Sequence, residues 1–216
     1  MSYKAPMLLL TSLLLMSFAG ATAQETANDA AIQAAIEETH RQLRALKDGA
    51  EAAFNKMGES GSTDDLAPLI DYVHDSIVLV AMNGETVIGK DGIRDYFMRT
   101  VGGPDPTVAS VHHTFDVAAL STLYGDDTAV AHGSSWGRYN LTDGLAFEVD
   151  TFWTATMVKE DGRWLLASFQ FAPSIFENPL LNKATQMIYI FAAVAGFLGL
   201  LLGFWFGRVS GRKATA

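Results

Sequence analysis

The chain has 216 residues, no cysteine and a formal charge of −9. All 24 acidic residues fall between residues 24 and 186, with 11 of the 15 basic ones (Lys4, Arg208, Arg212 and Lys213 lie outside), so that segment carries a charge of −13. The absence of cysteine excludes a disulfide scaffold, thiol catalysis and a Cys-ligated zinc, and so acidic a surface repels phosphate and speaks against nucleic acid as a partner.

The N-terminus places Lys4 before an apolar run, Met7 to Phe18, and then Ala21-Thr22-Ala23. A positive charge, a short apolar core and small residues at a cleavage site predict a secretory signal over residues 1–23. A single domain is expected over 24–172. It opens with a helix capped by Asn28 or Asp29 and running to about Met57, with Ile32, Ile36, Leu43, Leu46, Ala50 and Phe54 on its apolar face. Thr63 or Asp64 caps a short second helix. Ser76 to Met82 reads as a strand, Asn83-Gly84 as a hairpin turn and Glu85 to Ile88 as its return. A third helix is expected over Ile93 to Thr100, followed by strands Ser110–Leu123, Thr128–Asn140, Leu145–Lys159 and Arg163–Phe171. Helices first and antiparallel strands after make an α+β layout.

Pro173 and Pro179 mark a linker, 173–186. Residues 187–206 carry no charge, long enough to cross about 30 Å of hydrocarbon. Gly199 and Gly203, with Gly196, form a stripe along which two such helices could pack. Arg208, Arg212 and Lys213 follow in a tail, 207–216. Basic residues stay on the cytoplasmic side, so the domain is expected in the periplasm or extracellular space on a single-pass membrane anchor.

Several motifs recur in a known order. They are Asp65-Leu66 leading to Tyr72-Val73-His74-Asp75, then Ile88-Gly89-Lys90-Asp91-Gly92-Ile93, then Tyr124-Gly125-Asp126-Asp127-Thr128, and Glu160-Asp161-Gly162-Arg163-Trp164. In this order and spacing the chain resembles the nuclear transport factor 2-like superfamily, especially its SnoaL-like, ketosteroid isomerase-like branch, over roughly Asn28 to Phe171. The resemblance implies a cone: N-terminal helices packed on a curved antiparallel sheet around an apolar pocket. Such domains include ketosteroid isomerase, scytalone dehydratase and non-enzymatic binding or assembly modules, so fold alone does not assign function.

The resemblance also implies site positions. The residues doing acid–base work in ketosteroid isomerase fall here at Val80, Phe54 and Thr154, and a valine cannot take a proton, so that activity is not expected. The same spacing places His112 and His132 on adjacent strands facing the pocket, as a pair able to give and take a proton near neutral pH. Strand alternation then sets Ser134, Trp136, Phe152 and Thr154 around them, with Phe169 and Phe171 closing the apolar end and His113 on the opposite face. The bland alternative is that both histidines are hydrogen-bonded core or rim groups. No metal and no cofactor are expected. The reading favoured by the replaced catalytic acids is a membrane-tethered module binding a small apolar molecule or a protein partner. The alternative is an isomerase- or dehydratase-type enzyme using the histidine pair. A homodimer is expected through the open sheet face, with Trp153 buried there.

Overall fold

A computed structural model describes residues 7–174 and 179–213, with side chains for residues 24, 26, 28–174 and 184–205. The first helix, α1, spans Met7–Ser60, so the apolar run Met7 to Phe18 is continuous with the helix of the domain. Its packed stripe begins later than the sequence suggests. Leu43, Leu46, Ala53 and Met57 are buried at steps of three, seven and four residues, one face of a helix, whereas Ile32 is 48% exposed. Each fully buried Leu or Met of this stripe is worth about 1.5–3 kcal/mol relative to exposure. A 3-10 turn over Thr63–Asp65 is capped by Ser62, whose hydroxyl accepts from the Asp64 amide at 3.2 Å, and leads into α2, Leu66–Ile70.

The strands are β1 (Val73–Val80), β2 (Thr86–Ile88), β3 (Val108–Val117), β4 (Thr122–Tyr124), β5 (Thr128–Leu141), β6 (Ala146–Glu160) and β7 (Arg163–Pro173). Helix α3, Gly89–Phe97, lies between β2 and β3 and runs on as a π-helical turn through Gly102. The sheet order is β2-β1-β7-β6-β5-β3, with β4 also on β5. All pairs are antiparallel except β1 with β7. Register shifts in the β1–β7, β3–β5 and β6–β7 pairs bend the sheet around the helices, as bulges do.

One expected strand, Ser110 to Leu123, is two. Val117 pairs with Gly133 and Thr122 with Val130, so residues 118–121 loop out. Gly133 permits this, because a Cβ there would stand 1.8 Å from the Asp116 carbonyl oxygen. The outer edge of β3 is covered by α1. The Asn55 amide donates to the His113 carbonyl at 2.7 Å, and the His113 N–H donates to Asn55 Oδ1 at 2.8 Å. This double bond replaces the strand that an edge lacks.

Helix α4, Pro179–Lys213, starts earlier than the expected linker allows, with Pro179 opening it where a missing N–H costs nothing. Within it Ala184–Trp205, 22 residues, is apolar and unburied, about 33 Å long and sufficient to span a membrane.

Candidate functional site

The concave face of the sheet and the inner faces of α1 and α3 enclose a cavity of about 840 Å³. That lies within the range of small-molecule sites. Its walls are mainly apolar. Phe54 comes from α1, Leu79 from β1, Phe97 from α3, Phe115 from β3, Tyr139 from β5, Trp153 from β6, and Phe169 and Phe171 from β7. Several of its aromatic rings contact one another: Trp153 stacks on Phe169 at 5.8 Å and 16°, and Phe169 meets Phe171 edge-on at 4.8 Å. The exposed lining residues Arg44, Asp48, Asp116 and Leu120 form a rim, so the 118–121 loop borders the opening.

Behind this wall sit two polar pairs. Ser135 and Thr151, cross-strand neighbours, share a buried hydroxyl–hydroxyl bond of 2.6 Å. His113 is fully buried, and its Nε2 lies 2.8 Å from the Tyr139 hydroxyl. The imidazole stacks on Phe115 at 5.4 Å and meets Phe54 edge-on at 5.7 Å. It also lies flat against Gly137, where a Cβ would come within 2.4 Å of the ring. Burial, helped by the nearby His112, lowers the His113 pKa to about 4. Burial likewise pushes the Tyr139 phenol well up. Both groups are therefore neutral around pH 7. Among the described residues no three His, Asp or Glu side chains gather as a metal site.

The structure moves most of the expected site residues to the other face. Phe54, Phe169 and Phe171 line the cavity as the sequence suggests. His112 instead points outward, with Nδ1 3.0 Å from Glu59 Oε1 and its ring near Trp136. His132 is exposed, opposite Thr154. Nor are the two histidines neighbours. His112 pairs with Arg138, six residues along β5 from His132, about 20 Å at 3.4 Å per residue. Ser134, Phe152 and Thr154 are likewise exposed, and Trp136 is half-buried on the outer face beneath the Arg138 guanidinium. Val80 sits on the outer face between Thr86 and Gln170, while Leu79 and Ala81 face inward.

A one-residue slip in register exchanges the two faces of a strand, and here it does so on β1, β3, β5 and β6. His113, Tyr139 and Trp153 are the inward groups that result. Trp153 is buried in the core, its indole N–H donating to the Ser134 carbonyl at 2.9 Å, so it is not a group for an open-face dimer.

No protein-family model and no curated protein matches the chain. Solved structures do. A Novosphingobium aromaticivorans protein assigned as a scytalone dehydratase aligns with a TM-score of 0.53 and 10% identity, over 66% of this chain and 89% of that one. A hexachlorocyclohexane dehydrochlorinase aligns at 0.52 and 14%, over 63% and 89%. A ketosteroid isomerase-like protein of Erwinia carotovora aligns at 0.50 and 15%, over 62% and 94%. At these identities the likeness is one of fold: helices packed on a curved sheet, the nuclear transport factor 2-like arrangement that the motif order predicts.

Proposed function

We propose that this domain holds a small, mostly apolar molecule inside the curved sheet, tethered by α4 to a membrane with the domain on the extracytoplasmic side. The observation that carries the reading is the cavity of about 840 Å³, walled by aromatic and aliphatic side chains. An apolar cavity with few polar groups is the usual form of a small-molecule site. The apolar helix and the basic residues after it support the tether, and the N-terminal signal pattern supports the side. The histidine pair, facing outward and far apart, gives no support to acid–base chemistry inside the cavity.

The test is binding of a neutral fluorescent apolar probe, phenylnaphthylamine, to the full chain in nanodiscs, with empty nanodiscs as background. Ala155 lines the cavity and is buried. Ala155→Phe should abolish saturable binding while leaving the melting temperature unchanged, because the ring enters empty space. In a filled core the same change costs about 1–3 kcal/mol. Absence of saturable binding by the wild type would overturn the reading.

A further inference from the structure

His113 and Tyr139 form a hydrogen-bonded pair whose two members differ in surroundings. Tyr139 lines the cavity, whereas His113 is fully buried behind it. The imidazole has one bond, Nε2 to the phenol oxygen, and its Nδ1 has no partner among the described residues. A neutral imidazole carries one proton on one of its two nitrogens. With the proton on Nδ1, a buried N–H is orphaned, an arrangement proteins rarely tolerate. With the proton on Nε2, only an acceptor lone pair goes unmet, which is more common. The second tautomer makes Nε2–H the donor and the Tyr139 oxygen the acceptor. The phenol proton must then find an acceptor elsewhere, and the ring lies against the cavity, stacked on Phe147 at 5.2 Å.

We propose that His113 fixes Tyr139 as a hydrogen-bond donor into the cavity, so that the bound molecule is an apolar one carrying a neutral acceptor, a carbonyl oxygen, placed against the Tyr139 hydroxyl. This rests on the cavity being a ligand site and names the class of ligand. Both members are neutral, so the pair offers a dipole and no counter-charge. A carboxylate brought to it would lose its hydration without gaining a cation. A pure hydrocarbon would leave the phenol proton unpaired.

The experiment displaces the neutral fluorescent probe from the full chain in nanodiscs with three ligands of one shape: acetylnaphthalene, ethylnaphthalene and naphthoate. The ketone should bind roughly three- to tenfold more tightly than the hydrocarbon, as one added hydrogen bond allows, and naphthoate should bind worst. Tyr139→Phe should bring the ketone down to the hydrocarbon and leave ethylnaphthalene unchanged. Equal binding of ketone and hydrocarbon by the wild type, or a preference that survives Tyr139→Phe, would overturn the donor assignment with the cavity reading intact. Tighter binding of naphthoate would overturn it as well and move recognition to the rim cation, Arg44. If ethylnaphthalene and ketone both fail to bind, the cavity reading falls and this one with it. Should Tyr139→Phe not fold, the carbonyl stretch of bound acetylnaphthalene in the wild type decides. A frequency below that in hexane supports the bond, and an unshifted one refutes it.

Discussion

Burial of His113 has a thermodynamic signature. Its pKa in the fold is about 4, below the value of about 6.5 in an unfolded chain. The unfolded chain therefore takes up the proton first as pH falls. The stability that depends on a neutral imidazole is complete above about pH 6.5 and is lost toward pH 4, at about 1.4 kcal/mol per unit. Urea unfolding between about pH 7 and pH 5 should reveal a loss of about 2 kcal/mol from this residue, and His113→Phe should remove that share of the slope. An unchanged slope in the variant would show that the ring is not held neutral. The inward position of His113 was legible in the charges of neighbouring strands. On β6, Glu148 and Asp150 share a face with Phe152 and Thr154, and on β5, Arg138 and Asn140 share one with His132, Ser134 and Trp136. Charged side chains belong in water, so these faces point outward, and on β3 the same argument from Asp116, which shares a face with His112 and Thr114, turns His113 and Phe115 inward. The motif spacing of the resemblance implies the opposite parity, because a single residue of offset is invisible in the turns that anchor it.

Among the elements, β3 depends on α1 for its edge. Asn55 supplies both hydrogen bonds that the His113 backbone would take from a neighbouring strand. Asn55→Ala should cost about 1–3 kcal/mol by leaving that buried donor and acceptor unpaired. A denaturation midpoint matching the wild type would mean that water replaces the amide. The elements themselves were largely readable in the sequence. The hairpin at Asn83-Gly84 is closed by the Asn83 side chain accepting from the Glu85 amide at 3.1 Å, with Gly84 at φ 82°, as the local turn chemistry requires. The split of β3 from β4 was not readable, because Ala118 to Ser121 carries no Gly, Pro, Asn or Asp, and Ser121 alone is a weak turn signal. Gly133, on a different strand, makes room for it, and a long-range cause of that kind leaves no local trace.

For the whole molecule, the reading as a tethered outer domain predicts that protease added to sealed cells removes the domain and spares α4; full protection would reverse the topology. Phe152, 66% exposed, and Trp136 now occupy the outer sheet face, and a second copy would cover apolar area that water disfavours. Cross-linking of the full chain in nanodiscs should give dimers that Phe152→Lys dissolves. Dimers that persist in Phe152→Lys but fail in Gly199→Ile would place the contact in the membrane instead. The sheet order also governs how the chain can fold. β7 sits between β1 and β6, yet it is the last strand made, and its pairing partner Val78 lies 90 residues before Ser168. The central strand of the sheet therefore reaches its place only after nearly the whole domain exists. On the proposed topology its arrival comes just ahead of α4, the helix that would stop translocation. Non-local pairing of this kind is slow, on the order of milliseconds to seconds. Until β7 docks, β1 and β6 present open edges, so the emerging domain depends on protection from aggregation until its final strand is in place.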